Sequence, residues 1–241
     1  MIGTLLNVGT VVLGSVLGSL LGNRLPEKMR QTVIGGLGLV TAVVGAQMAL
    51  GTHNVLLILG SVLLGGVLGE WWHIEDGLEA LGRWLESKVG PATKATDERS
   101  ITRAFVTASL VFCVGPLTIL GSIQDGLTGD YKLLAVKSML DGFAALAFSA
   151  TMGPGVILST LTILVLQGGI SLAAMAAGGV LGQVSGETPW VVEMTATGGV
   201  LILGIALMLL DLRRIRVANL LPAILIAPVA QVILGILQTR R

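Results

Sequence analysis

Residues 2–22, IGTLLNVGTVVLGSVLGSLLG, contain no charged side chain and carry a glycine about every four residues. A helix needs about 20 mostly apolar residues to cross a bilayer, so this stretch predicts a transmembrane helix. No basic segment precedes it and Asn23-Arg24 follow it directly. We therefore expect a retained span rather than a cleaved signal peptide.

The composition of the whole chain supports the same class. Of the 241 residues, 53% are hydrophobic and only 12% are charged, and the mean hydropathy is +0.88. A soluble protein of this size cannot bury so much apolar surface, whereas a bilayer solvates it. The 34 glycines suit close packing of helices in a membrane. The sequence predicts an all-α membrane protein forming a single transmembrane domain, 1–241.

The apolar stretches predict about eight spans. They lie at about 2–22, 32–50, 54–72, 101–122, 133–152, 155–184, 190–210 and 217–237. The sixth is too long for one straight crossing and contains Gly168-Gly169. A broken helix, or a re-entrant segment plus a span, would fit it, so seven to nine crossings remain open.

The distribution of Lys and Arg predicts the orientation. Eleven of the fifteen lie in three segments, 23–31, 73–103 and 211–216. Eight crossings put all three on one side, which the positive-inside rule makes cytoplasmic. Both termini are then expected on the opposite side.

An amphipathic helix is predicted at about 73–90, within the longest loop. Apolar residues recur there at helical spacing with charged residues between them, and Pro91 follows. The apolar residues are Ile74, Leu78, Leu81, Leu85 and Val89. The helix either lies on the membrane surface or binds a partner.

An internal repeat is predicted between about 2–72 and 166–237, on either side of a central element, 101–165. Gly14, Gly18 and Gly22 match Gly178, Gly182 and Gly186, and Pro26, Gly35 and Gly36 match Pro189, Gly198 and Gly199. The basic loop of the first copy is expected inside and its counterpart outside, so the two three-helix copies would be inverted. Secondary transporters use inverted repeats, although the glycines alone also suit simple helix packing.

Two Gly-Pro pairs interrupt the apolar segments of the central element. They are Gly115-Pro116 and Gly153-Pro154. Broken helices in lipid occur where they are buried in protein or line a cavity, and their free backbone groups can then bind ions. A simple kink, or a helix that begins at Pro154, is the alternative.

Polar residues concentrate in the same region: Gln124, Asp125, Lys137, Asp141 and Gln167. Asp141 and Gln167 are expected near the middle of the bilayer. An ionised aspartate there costs at least about 2.5–3.5 kcal/mol, so it should face the interior or pair with a cation. Lys137, one turn earlier, is the expected partner. The pair either belongs to a binding site or only locks helices together.

Asn7 and Asn219 are weaker candidates. Each is expected near the end of a span, where water can satisfy its amide.

Several stretches resemble the bacterial membrane family DUF554, also called the YqgA-like family. They are GPLTILGSIQDG (115–126), KSMLDG (137–142), GPGVILS (153–159), LQGG (166–169), GTLLNVGTVVLGSVLG (3–18) and IRVANLLPA (215–223). The resemblance covers nearly the whole chain. It implies a multi-spanning protein of the bacterial cytoplasmic membrane and supplies no activity.

The first functional hypothesis is a secondary transporter or channel for a small solute or ion. Asp141 and Gln167 would contact the solute, Lys137 would balance charge, and Gln124 with Asp125 would line the outer entrance. The alternative is a membrane scaffold or sensor that acts through the amphipathic helix. A transporter needs a hydrated cavity that reaches Asp141, whereas a scaffold would pack it dry against Lys137.

Other classes of function are not expected. An intramembrane enzyme is disfavoured because neither His53 nor His73 lies within a predicted span, and the segment 126–130 only loosely resembles the GxGD run of aspartyl proteases. The sequence has no nucleotide-binding loop and no metal-ligand spacing, so we expect no cofactor and no metal. The net charge of +1 argues against nucleic acid. Expected partners are the lipid bilayer, the solute and further copies of the chain.

Overall fold

The computed structural model describes residues 1–22, 26–89, 100–113, 116–177 and 187–239, and these residues form helices and no strand. The all-α class is confirmed. The α-helices are α1 (Ile2–Gly22), α2 (Glu27–Ala49), α3 (Val55–Trp71), α4 (Ile74–Val89), α5 (Ile101–Cys113), α6 (Pro116–Leu127), α7 (Lys132–Met152), α8 (Ser159–Ala177), α9 (Pro189–Leu209) and α10 (Pro222–Thr239). Two 3-10 turns, Pro154–Leu158 and Val217–Leu220, precede α8 and α10.

The length and apolar character of these helices indicate that the chain is a multi-pass membrane protein. Within the described residues, six helices are long and apolar enough to cross a membrane, or up to eight if each of two bent helix pairs forms one span. The bent pairs are α3 with α4, at 53°, and α5 with α6, at 62°. The number of predicted spans, eight, equals this upper count. The predicted third span, 54–72, corresponds to α3 without α4.

The predicted sixth span contains no break at Gly168-Gly169. Helix α8 runs continuously through both residues, because glycine keeps the N–H and C=O groups that the helix requires. With the preceding 3-10 turn it forms one candidate span, Pro154–Ala176. The rest of the predicted segment, 178–184, lies outside the described residues.

The amphipathic helix is present as α4. It begins with Glu75 and Asp76 in its first turn, and it exposes Leu81 and Trp84, at 44% and 54%. Exposed apolar side chains on a charged helix are typical of a helix in the membrane interface.

The chain divides into two compact units. The first comprises Met1–Gly36 and Leu78–Val184, and the second comprises Leu37–Gly77 and Ser185–Arg241. In the first unit α1 packs mainly on α7 and also on α8. In the second unit α3 and α9 both pack on α10.

The closest helix packing in the first unit is a backbone contact between α1 and α7, which we call the glycine contact. A Cβ atom added at any of its three α1 glycines would collide with backbone of α7. The contacting pairs are Gly14 with Gly142, Gly18 with Leu146 and Gly22 with Ala150. Both residue numbers rise together, so α1 and α7 run parallel.

The helix directions agree with eight crossings in the predicted order. As first and fifth crossings, α1 and α7 must run the same way, and they do. As third and eighth crossings, α3 and α10 must run in opposite directions. Gly65 packs on Ala223 and Gly69 packs on Asn219. Residue numbers rise along α3 as they fall along the segment that it contacts, so the two run in opposite directions. Which end faces the cytoplasm stays a prediction from the basic loops.

The inverted repeat also stays a prediction. The second-copy glycines, Gly178, Gly182 and Gly186, lie outside the described residues. Their counterparts in the first copy, Gly14, Gly18 and Gly22, form the glycine contact with α7.

Candidate functional site

Asp141 lies on α7, nine residues beyond the start of the helix, or about 14 Å along its axis. The ammonium of Lys137, one turn earlier on the same helix, donates a hydrogen bond to Oδ2 of Asp141. The side chains are only 6% and 12% exposed, respectively. The predicted ion pair is therefore present, and it is largely removed from solvent.

Two further helices bring amides and a hydroxyl to this pair. Asn7 of α1 donates from Nδ2 to Oδ2 of Asp141, at 2.9 Å, and to Oε1 of Gln167 on α8, at 3.0 Å. Gln167 in turn donates from Nε2 to Oγ1 of Thr4, at 3.3 Å. Asn7, Gln167 and Thr4 are 0% exposed. We call these five residues the Asp141 cluster.

The glycine contact explains how a side chain as short as asparagine reaches α7. Gly14 and Gly142 let the two backbones touch two turns beyond Asn7, so the helices are already close where Asn7 faces Asp141. Gly3 packs against the side chain of Leu134 in the same way. The small residues of α1 thus position the polar ones.

The cluster leaves hydrogen-bonding capacity unused. Oδ1 of Asn7 is buried and has no hydrogen-bond partner, and the same holds for Oγ of Ser171, one turn beyond Gln167 on α8. The ammonium of Lys137 has three N–H groups, and its described hydrogen bond uses one. An unsatisfied buried polar group costs about 1–3 kcal/mol, so a polar occupant that bonded to these atoms would be favoured.

The expectation that water satisfies Asn7 and Asn219 at span ends is wrong. Helices α6, α7 and α8 all pack on α1 and cover its first turns. Asn219 is 3% exposed; it donates to Glu70, at 2.6 Å, and accepts from the N–H of Glu75, at 2.8 Å. Both asparagines are therefore interior hydrogen-bonding residues.

Asp125, on α6, contacts the start of α1 and is not part of the cluster itself. Its Oδ2 accepts from the N–H of Gly3, at 3.2 Å, and from the amino group of Met1, at 2.8 Å. Its Oδ1 is buried without a partner. Gln124 is half-buried beside it. Because Thr4 follows Gly3, Asp125 and the cluster adjoin along the first turn of α1.

The Gly153-Pro154 pair is not part of the cluster. Gly153 has a φ of 98° and ends α7, and Pro154 starts the next 3-10 turn. This turn lies about 18 Å beyond Asp141 along the helix axis, so the pair joins two helices instead of breaking one. Pro116 is the first residue of α6, and Gly115 lies outside the described residues.

No metal centre is evident in the part of the chain that the structure describes, where no group of three or more His, Cys, Asp or Glu side chains could hold an ion. The Asp141 cluster contains one carboxylate, one ammonium, two amides and one hydroxyl. This composition suits binding of a charged or polar solute more than covalent chemistry.

A third buried acid, Glu193 on α9, was not anticipated from the sequence. It is 1% exposed. Its Oε2 accepts from Oγ1 of Thr52, at 2.6 Å, and its Oε1 accepts from the N–H of His53, at 2.8 Å. Thr52 also accepts from the N–H of Asn54, at 2.9 Å, at the start of α3. Glu193 thus fixes the turn between α2 and α3.

Comparison with known proteins gives one family and no activity. The family DUF554, described as a protein of unknown function, matches residues 2–232. The uncharacterized protein YqgA of Escherichia coli K12 is 30% identical over 227 residues, 94% of each chain. The uncharacterized membrane protein YdfK of Bacillus subtilis 168 is 27% identical over 233 residues, 95% of each chain. No solved structure matches significantly.

Proposed function

The chain belongs to the DUF554 family of proteins of unknown function, and we propose that it is a secondary transporter or channel for a small solute or ion. One observation supports this most. Three helices, α1, α7 and α8, bring polar side chains to one point around a buried ion pair. Ionisable groups within membrane spans commonly mark substrate or ion pathways.

The proposed roles follow from the contacts. Asp141 binds a positive group of the solute or a coupling ion, and Asn7 and Gln167 supply neutral hydrogen bonds. Lys137 keeps the site neutral when it is empty, because an unpaired carboxylate in a low-dielectric interior is costly. Asp125 lies toward the end of α1 at which the solute would enter.

The glycine contact supports access from one end only. Beyond Asp141, α1 and α7 touch through backbone at Gly14, Gly18 and Gly22, which leaves no space between them. Toward the N-terminal end of α1, the cluster instead continues through Thr4 to Asp125. The basic loops predict that this end is extracytoplasmic.

A scaffold or sensor is the second candidate. Lys137 and Asp141 contact each other directly and both side chains are largely buried, as expected of a pair that only locks helices. In that case α4, with Leu81 and Trp84 exposed, would be the working surface.

We place the protein in the bacterial cytoplasmic membrane, with lipid as its surroundings and without enzymatic activity. A homo-oligomer is part of the proposal. Gly35 and Gly36 on α2 have no neighbouring atom within 4 Å of where a Cβ would lie, so this glycine pair leaves room for a helix of a second copy.

The proposal is tested by melting the purified protein in detergent against a panel of ions, small acids and amines. A ligand of the folded state stabilises it by about 2.7 kcal/mol at a hundredfold excess over Kd. The variant Asp141→Asn should lose the response to the ligand that stabilises the parent. Glu193→Gln, the matched control at a buried acid outside the cluster, should keep it.

Two results would favour the scaffold instead. The first is that no compound shifts the parent, and the second is that Asp141→Asn melts lower by the same amount under every condition. A ligand that does pass this test would then be assayed for Asp141-dependent flux in liposomes.

A further inference from the structure

The nature of the bound species can be inferred from the charges and free atoms of the cluster, given the proposed transport role. We propose that the Asp141 cluster binds a monovalent cation in exchange for the ammonium of Lys137. Lys137 would then be a competitor built into the protein, present on Asp141 when the cation is absent.

The contact between Lys137 and Asp141 joins two side chains, so rotation within the lysine side chain is enough to break it. The two residues lie one turn apart on α7, and the lysine ammonium sits on a flexible four-carbon stem. Asp141 cannot remain alone afterwards, since a buried charge stripped of its partner is destabilised by about 3–5 kcal/mol. Departure of Lys137 therefore requires one positive charge on Asp141 in its place, and the displaced ammonium, itself a buried charge, must reach water or release its proton.

The cluster supplies oxygen atoms for such a cation. They come from the carboxylate of Asp141, the amide of Gln167, the hydroxyl of Thr4 and Oδ1 of Asn7. The last of these is fully buried and lacks a hydrogen-bond partner. Oxygen ligands suit hard cations. The other oxygens already accept hydrogen bonds within the cluster, which a bound cation would replace.

The charge of the site selects a monovalent species. Asp141 is the one carboxylate of the cluster, so once the charge of Lys137 has been withdrawn a single bound positive charge makes the site neutral. A divalent ion would leave a net positive charge in a low-dielectric interior, which is costly. Na⁺, K⁺ and H⁺ satisfy the same requirement.

A proton differs from a metal ion in its pH dependence. The titratable groups that interact electrostatically with Asp141 are Lys137 on α7 and the thiol of Cys113 at the end of α5. Helices α1 and α8 present the amides of Asn7 and Gln167 and the hydroxyl of Thr4. Varying pH and metal ion separately thus identifies which cation is bound.

The experiment melts the Lys137→Gln variant in detergent with Na⁺, K⁺ or choline at constant ionic strength, across a range of pH. Removing the competitor should make the variant more responsive than the parent. At a hundredfold excess over Kd, the bound cation should raise its Tm by about 5–10 °C. A rise with Na⁺ or K⁺ identifies a metal ion, and a rise only on acidification identifies a proton.

The control is the double variant Lys137→Gln/Asp141→Asn. It has neither charge, so its Tm should not depend on the cation. Purification of Lys137→Gln only in Na⁺, in K⁺ or at low pH would also support the exchange. If the double variant can be purified and Lys137→Gln cannot under any of these conditions, the carboxylate accepts no replacement cation and the proposal is wrong.

A Lys137→Gln variant that folds but ignores Na⁺, K⁺ and pH also overturns the exchange. The transport proposal would still stand if another solute from the panel stabilises the parent and not Asp141→Asn. Failure of both measurements would remove the two proposals together.

Discussion

Asp141 in the first unit and Glu193 in the second are buried acids that are satisfied in different ways. Asp141 accepts hydrogen bonds from the flexible ammonium of Lys137 and from an amide, Asn7, whose own oxygen is unpaired. Glu193 accepts from a hydroxyl and a backbone N–H, and both donors belong to one short turn at Thr52-His53.

The difference shows why burial alone does not indicate a binding site. Both donors to Glu193 belong to the turn between α2 and α3, and neither carries a charge. They can be replaced only by rearranging that turn. The counter-charge of Asp141 is carried by a long, flexible side chain, and Oδ1 of the neighbouring Asn7 is unsatisfied. We therefore assign binding to Asp141 and a structural role to Glu193, and the following changes test that division.

The largest loss of stability is expected when the positive charge of Lys137 is removed. Lys137→Met leaves Asp141 without a cation and should lower the free energy of unfolding by about 3–5 kcal/mol. Adding Asp141→Asn should restore most of the loss, because the remaining groups are neutral. Denaturant unfolding in the absence of candidate ligands measures both variants. A double variant as unstable as Lys137→Met would show that the pair is not the source of the loss.

The next effect concerns the glycine contact that holds α1 on α7. In Gly18→Ala the new Cβ collides with the carbonyl oxygen of Leu146, and we expect a loss of about 3 kcal/mol. Gly9→Ala is the matched control on the same helix, since nothing lies within 4 Å of its Cβ. Thermal melting compares the two. Equal Tm values would contradict the close backbone packing.

A smaller effect is expected at the structural acid. Glu193→Gln keeps the shape of the side chain but loses a charge that strengthens its hydrogen bonds to Thr52 and His53, so stability should fall by about 1–2 kcal/mol. The change in Tm caused by an Asp141 ligand should stay the same as in the parent. Loss of that response in Glu193→Gln would contradict the assignment of ligand binding to Asp141 and of a structural role to Glu193.

The smallest effect is expected for Thr52→Val. It removes the hydroxyl donor to Glu193 and leaves the N–H of His53 in place, which should cost about 1 kcal/mol. Denaturant unfolding measures it. A loss as large as that of Lys137→Met would mean that Glu193 depends on a partner beyond this turn.

Contacts that depend on local periodicity were predictable from the sequence. The apolar stretches gave the helices, and the spacing of Ile74, Leu78 and Leu81 gave α4. Residues four apart on one helix face each other, so the Lys137–Asp141 pair followed from numbering alone.

Contacts between distant residues were not predictable in the same way. Asn7 meets Asp141 across 134 residues and Gln167 across 160, and the depth of Asn7 depends on which helices cover the first turns of α1. Glu193 did carry a signal, as a charged residue within an apolar span. Its partners in the turn at Thr52 are 140 residues or more away, so its role required the structure.

The central claim, that water and solute reach the Asp141 cluster, is tested most directly by thiol labelling. Ser171 and Ser149 are both buried, and both hydroxyls lack a partner. Ser171 lies one turn from Gln167, whereas Ser149 lies beyond Asp141 toward the glycine contact. Serine-to-cysteine changes at these positions, each in a Cys113→Ala background, add little volume. Both proteins are reconstituted in liposomes and treated with a membrane-impermeant thiol reagent.

We predict that Ser171→Cys is labelled, that a stabilising ligand slows its labelling, and that Ser149→Cys is labelled far more slowly. If Ser171→Cys reacts only after denaturation, as Ser149→Cys would, the cluster is dry and the transport account is contradicted.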